Sequence, residues 1–274
     1  MTVPVHAAPL ISVVIPTHNM AAYLNEAILS VTEGRFDEVE VLVIDDGSTD
    51  DTKAVVDRFT TPGEADYDPR VTYTYQPNGG KASAVNAAFR RARGEYVAIL
   101  DADDRLAPNS LAVRYAAGRA GAQVIVGGIE VFEEEQVIGR RTAPDTSDPR
   151  ALRRRFFLSY KTPFFLNACL ISREVVSRTG CFDTRLRRCQ DIDYAMRLLQ
   201  QTEEVAVVNE PVYRYRKHRQ SVPERLRFRG QTLFYRALAL WKNVRGFAGL
   251  GAVCYGAAMD LAKAIYELFG NYKR

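Results

Sequence analysis

Asp101 and Asp103 stand two positions apart, directly after the apolar run Tyr96-Val97-Ala98-Ile99-Leu100. Such a run is a buried strand, so both carboxylates meet solvent at its C-terminal end, where open α/β sheets bind ligands. Hard oxygen donors so placed suit Mg²⁺ or Mn²⁺, and such an ion would grip the phosphates of a substrate. Acidic triplets also cap helices and fill turns. This one is distinguished by three turns that precede it.

The first is Pro16-Thr17-His18-Asn19 and the second Asp45-Asp46-Gly47-Ser48-Thr49-Asp50. Both follow apolar runs and open at the same sheet edge as Asp103. An Asp-Gly turn lets backbone amides approach a ligand, and Asp46 can accept hydrogen bonds from a base N–H or a ribose hydroxyl. Ser48, Thr49 and Asp50 are equally good N-caps for the next helix, and one of them is expected in that role. The third turn, Asn78-Gly79-Gly80-Lys81, precedes another helix. It either brings amides and an ammonium to phosphate or is a glycine turn with a solvated lysine.

These turns need a frame. Apolar runs at 10–15, 39–44, 71–75 and 96–100 predict strands, and the patterns at 21–33, 51–59 and 82–92 predict helices. Pro108 suits the first turn of a further helix, to about residue 119. Strand-helix alternation predicts a mainly parallel sheet with helices on both faces. After 123–132 this rhythm changes, and a hairpin or mobile loop is expected over 133–149. A mixed region follows to about 221, with a strand at 168–172 and a helix at 191–201. From 224 the pattern is helical, with a break at 246–251.

The 274 residues suffice for a substantial core, and the net charge of +4 brings no long basic run that would suggest nucleic acid. Cys169, Cys181, Cys189 and Cys254 have neither C-x-x-C spacing nor a disulfide framework, so reduced thiols in a cytoplasmic protein are expected. No signal peptide is evident at the N-terminus. The nearest approach to a membrane span, 246–269, is broken by Asp260, Lys263 and Glu267.

Ser12-Val13-Val14-Ile15-Pro16-Thr17-His18-Asn19, Val43-Ile44-Asp45-Asp46-Gly47-Ser48-Thr49-Asp50, Asn78-Gly79-Gly80 and Ile99-Leu100-Asp101-Ala102-Asp103-Asp104 resemble, in order, the motifs of family 2 inverting glycosyltransferases. The resemblance covers about 10–221. It implies the GT-A fold (Rossmann-like), a nucleotide-sugar donor, usually UDP-linked, and a divalent metal, Mn²⁺ or Mg²⁺. It places Pro16, Thr17, His18, Asn19, Asp46, Lys81, Asp101 and Ala102 at the nucleotide, and Asp103 on the metal. The organisation implied is a catalytic domain over 1–222, with a nucleotide-binding half to 132 and an acceptor-binding half from 133. A helical C-terminal extension over 223–274 follows.

Gly180-Cys181-Phe182-Asp183 leading to Cys189-Gln190-Asp191-Ile192-Asp193 resembles the family segment that supplies the base. Many members have Glu-Asp where this chain has Gln190-Asp191, so the second carboxylate, Asp191, is the candidate base. Inversion needs a base opposite the leaving group to take the acceptor hydroxyl's proton. Without the resemblance, Asp191 and Asp193 would only charge a helix N-terminus. His218 resembles a position near the diphosphate that is sometimes a metal ligand. Arg214, Arg216 and Arg219 either neutralise pyrophosphate or fringe the surface.

Arg153-Arg154-Arg155-Phe156-Phe157 and Lys161-Thr162-Pro163-Phe164-Phe165 interleave charge and aromatics. They fit contact with a saccharide or lipid-linked acceptor, or an amphipathic helix whose aromatics enter the core, and the second is favoured. The C-terminal helices are expected to pack on the catalytic domain or a homodimer partner. Peripheral attachment to the inner face of a membrane is the second reading. A sugar nucleotidyltransferase would usually show a glycine-rich basic loop near the first strand, which is absent here. A nucleotide-binding module that has lost catalysis is the other rival, kept open by Gln190.

Overall fold

A computed structural model describes residues 9–158, 162–218, 235–239 and 242–243. Its strands are β1 (Ile11–Thr17), β2 (Val39–Asp46), β3 (Val71–Gln76), β4 (Tyr96–Ile99), β5 (Arg105–Leu106), β6 (Val124–Glu133), β7 (Gln136–Arg141), β8 (Cys169–Ser172) and β9 (Val205–Arg216). Its helices are α1 (Ala21–Thr32), α2 (Thr52–Thr60), α3 (Lys81–Phe89), α4 (Ser110–Arg119), α5 (Pro149–Leu158), α6 (Arg173–Thr179) and α7 (Gln190–Leu198).

The sheet order is β3-β2-β1-β4-β8-β6-β9-β5, with β7 hairpinned onto β6. β1 pairs in parallel with β2 and β4, and β2 with β3. β8 runs against both β4 and β6, and β9 runs with β6. Six strands therefore point one way, with β5, β7 and β8 opposed. The sheet is mixed and mainly parallel.

Every residue of β1 and β2 is buried, because helices cover both faces. Alternation divides their side chains. Ile11, Val13, Ile15, Val41 and Val43 pack with α1, α2 and α4, while Val14, Leu42 and Ile44 pack with α3, α5, α6 and α7. The expected strands and helices of the first half stand within three residues of their expected bounds, the largest departure being α3, which ends at Phe89 and not at 92.

Residues 133–149 begin with the hairpin. α5 buries Leu152 and Phe156, with Phe156 edge-on to Phe164 at 5.5 Å, so these aromatics do belong to the core. β5, α6 and β9 were not expected. In β9, Asn209-Glu210-Pro211 has the composition of a turn, yet the strand continues through it. The ladder with β6 shifts register around Gly128 and Pro211, and that irregularity accommodates the proline. Gly127 makes the approach possible, since a Cβ there would meet Val212 Cγ2 at 2.3 Å.

Most of 223–274, Arg219, Cys254 and the 246–269 segment lie outside the described residues. Within the described part, 235–239 is helical, Ala239 joins the α7 core, and Arg236 donates to the Phe156 carbonyl at 3.2 Å. No helix among the described residues is long and apolar enough to cross a membrane.

Candidate functional site

The ends of β1, β2 and β4 lie side by side, as parallel pairing requires, and their turns form one rim. Asp45 and Asp46 divide the labour there. Asp45 accepts from the Ser48 amide at 2.8 Å and the Tyr73 hydroxyl at 2.7 Å, which fixes the second turn. Asp46 accepts from the Gly79 and Gly80 amides at 2.9 and 2.7 Å and from Gln76 Nε2 at 2.6 Å. The two glycine amides expected at a phosphate are thus directed at Asp46. What the third turn offers the cleft is Lys81.

None of the three candidates is the N-cap of α2, which is Asp51 without a side-chain capping bond; Asp50, one residue earlier, serves the helix start instead. Its carboxylate accepts the Ala21 amide at the start of α1 and the Thr52 amide at the start of α2, at 3.0 and 3.1 Å. Asn19 adopts a left-handed backbone at φ 54°. Its amide nitrogen donates to Ser48 Oγ at 2.9 Å, and its side-chain oxygen accepts the Thr49 amide at 2.7 Å. Asn19 therefore braces the first turn against the second, and it is not among the cleft-lining residues. Pro16, Thr17, His18, Asp46, Lys81, Asp101, Ala102 and Asp103 are brought together around that cleft, with Met20 and Ala84.

Each carboxylate of the Asp101–Asp104 loop is held differently. Lys81 Nζ bridges the Asp101 carboxylate at 2.6 and 2.7 Å. Partial burial opposes the Lys81 charge, but Asp101, Asp191 and Asp103 together raise its pKa. Asp103 Oδ2 lies 2.8 Å from His218 Nε2, and the imidazole stands edge-on to Tyr23. Asp104 is buried. Its oxygens accept the Tyr213 hydroxyl and the Arg216 amide, both at 2.7 Å. Burial, then the charge of Asp101, push the Asp104 carboxyl up to about 8.

Oxygens of Asp101, Asp103 and Asp104 lie within 4.8 Å of one another and could hold a metal ion. With both Asp104 oxygens engaged by protein donors, the accessible donors are Asp103, with Asp101 beside it and the His218 imidazole. Carboxylates with one imidazole are a set that Mn²⁺ accepts. The residues fit the expected ion. Arg216 is buried and donates through Nε to the Asp103 carbonyl at 2.8 Å while pairing with Glu26, so it supports the loop from behind. Arg214 pairs with Glu130.

A second cleft opens on the other side of Lys81, lined also by Phe165, Asn167, Phe182, Gln190 and Asp191. Asp191 is in the first turn of α7. Burial by surrounding protein raises its pKa, against Lys81 and the helix amides, which lower it. Gln190 donates to the Leu186 carbonyl at 2.6 Å, so the amide braces the loop before α7.

Tyr213 joins the two clefts. Its hydroxyl accepts from the Asp101 amide and from Asn167 Nδ2, both at 3.1 Å, and donates to Asp104. Asp104 and Tyr213 are not marked as site residues by the sequence, and Arg216, expected at pyrophosphate or on the surface, is instead buried behind the loop. Asp104 follows the Asp-x-Asp directly, and the alternation Tyr213-x-Tyr215 was the available sign of a strand beside it.

The Glycosyl transferase family 2 model matches residues 12–180. The uncharacterized glycosyltransferase EpsJ of Bacillus subtilis is 24% identical over 224 residues, 79% of this chain and 63% of EpsJ. Chondroitin synthase of Pasteurella multocida is 38% identical over 107 residues, 39% of this chain and 11% of that protein. The chain thus spans less than two thirds of the length of these relatives. Among solved structures, S. aureus TarS 1–349 in complex with UDP-GlcNAc has a TM-score of 0.65 at 18% identity, over 95% of this chain and 72% of that one. Mannosyltransferase PcManGT from Pyrobaculum calidifontis, in complex with GDP-Man and Mn2+, has a TM-score of 0.58 at 24% identity, over 95% and 76%. At these identities the likeness establishes the fold, which is GT-A.

Proposed function

The chain belongs to glycosyl transferase family 2, and we propose that it moves a sugar, with inversion, from a UDP-linked donor to a hydroxyl of a saccharide or lipid-linked acceptor. The observation that carries this reading is the position of Lys81. It forms a wall of both clefts, pairing with Asp101 on one side and acting electrostatically on Asp191 on the other. A diphosphate beside Asp101 and Asp103 would therefore present its sugar towards Asp191.

The nucleotide is bound along Pro16, Thr17, His18 and Ala102. Thr17 lines this cleft, and its buried hydroxyl has no protein partner among the described residues. A divalent ion held by Asp103, Asp101 and His218 would supply Lewis-acid stabilisation of charge on the departing diphosphate. Lys81 adds a fixed positive charge at the same point. Asp191 takes the proton of the acceptor hydroxyl, and the upward direction of its pKa suits a base. The cleft walls, Phe182 and Phe165, hold the acceptor for in-line attack. No covalent intermediate is needed for a single displacement.

A thermal-shift panel of UDP, GDP, CDP and dTDP, each with and without Mn²⁺, tests the donor half. Metal-dependent stabilisation by UDP alone is expected, about 2.7 kcal/mol at one hundred times its Kd. A shift with GDP alone would overturn the UDP assignment. Turnover abolished in Asp191→Asn, with UDP binding kept, would support the base; wild-type turnover would refute it.

A further inference from the structure

We infer that Lys242 and Asn243, far along the chain from the sheet, position the base by clamping the first turn of α7; the inference rests on the assignment of Asp191 above. Asp193 lies two residues after Asp191 in that turn. Two helical steps place them on opposite faces, Asp191 towards the cleft and Asp193 fully buried. A buried carboxylate must find donors, and Asp193 takes them from two directions.

From its own helix, Arg197 donates through Nε to Asp193 Oδ2 at 3.1 Å. The same guanidinium binds the Thr179 and Cys181 carbonyls at 2.7 and 2.9 Å. From the other side, Lys242 Nζ and Asn243 Nδ2 reach Asp193 Oδ1 at 3.1 and 3.0 Å. Lys242 Nζ also lies 2.5 Å from Asp183 Oδ2. One ammonium thus ties the start of α7 to the segment containing Phe182, a wall of the Asp191 cleft.

Arg197 and the Lys242–Asn243 pair hold the helix start together from its two sides. Its N-cap, Cys189, sits at φ 56° and makes no side-chain capping bond. The clamp, in contrast, is well founded: Asn243 Nδ2 also bonds the carbonyl of Ala239, which is buried in the core. A displacement of Asp193 would turn the helix end and carry Asp191 with it. Lys242 and Asn243 are therefore positioning residues for the proton transfer and have no part in nucleotide binding.

The test compares the wild-type chain with Lys242→Ala, Lys242→Arg and Asp191→Asn. It uses amide hydrogen exchange, UDP affinity with Mn²⁺, and UDP release from UDP-glucose, UDP-galactose and UDP-GlcNAc. In Lys242→Ala the amides of 186–195 should exchange about tenfold faster, those of β1 and β4 remaining unchanged. UDP affinity should hold while kcat falls on the order of tenfold or more. Lys242→Arg should restore both. Unchanged exchange and kcat in Lys242→Ala, with Asp191→Asn inactive, would overturn the clamp alone. Wild-type turnover in Asp191→Asn would overturn the base assignment beneath it. Faster exchange everywhere in Lys242→Ala would make Lys242 a general stabiliser and also overturn the inference.

Discussion

Asn86 and Phe182, ninety-six positions apart, exchange two hydrogen bonds: Asn86 Nδ2 donates to the Phe182 carbonyl at 3.0 Å, and the Phe182 amide donates to Asn86 Oδ1 at 2.8 Å. Asn86 belongs to α3, whose first residue is Lys81, and Phe182 lies flat on Tyr194 of α7, ring centroids 4.1 Å apart. The helix that carries the donor-side lysine is thereby joined to the helix that carries the proposed base. The peptide of Phe182 has the geometry of a strand partner, but one side chain supplies both bonds.

Replacing Asn86 by alanine leaves a buried amide and a buried carbonyl unsatisfied at once. The expected cost is about 2–4 kcal/mol in chemical denaturation. Asn86→Asp should be no better at neutral pH, because it loses the donor and buries a charge. A cost below about 1 kcal/mol for Asn86→Ala would mean that water replaces both bonds.

Gly127→Ala should destabilise by about 1–3 kcal/mol, since the new methyl falls on Val212, which is fully buried and stiff about χ1. The discriminating measurement is the double variant. Shortening Val212 to alanine creates the space the methyl needs, so Gly127→Ala should cost markedly less in a Val212→Ala background. Simple additivity of the two losses would show that the strain lies in the backbone of β6.

The first half of this fold was legible because its physics is local. Val41-Leu42-Val43-Ile44 announces a strand buried on both faces, and the polar run Ser48 to Asp51 announces a helix start. The same turns meet around one cleft, which Lys81 and Asp103 also line. β9 was not legible, because Asn209-Glu210-Pro211 imitates a turn and only the partner strand, with its paired glycines, absorbs the proline. The inward direction of Asp46 was equally hidden. Its hydrogen bonds reach more than thirty residues along the chain, to Gly79 and Gly80, and no local pattern marks them. Asp104 and Tyr213 meet only because β5 pairs with β9.

Asp103→Asn should remove the Mn²⁺-dependent part of nucleotide stabilisation and leave the metal-independent part. His218→Ala should weaken it less, since one imidazole contributes less than an anionic ligand to a hard cation. Melting curves with UDP, with and without Mn²⁺ and then with a chelator, read both. Equal metal dependence in Asp103→Asn and wild type would remove Asp103 from the metal site.

The final prediction concerns pH. Burial raises the Asp191 pKa from its ordinary value, and Lys81 is the foremost group holding it down. A base must be unprotonated to act, so kcat/KM should fall as pH drops through that raised pKa, giving an acidic limb above the usual aspartate range. Lys81→Met removes the opposing positive charge, and protonation of Asp191 then becomes easier. The limb should therefore move to higher pH, while the loss of charge beside the diphosphate lowers the plateau as well. The two effects separate in a full pH profile of UDP release from the active donor, because one shifts the curve sideways and the other scales it. A lower plateau with an unmoved limb would mean that Lys81 serves the diphosphate alone and that Asp191 does not sense it.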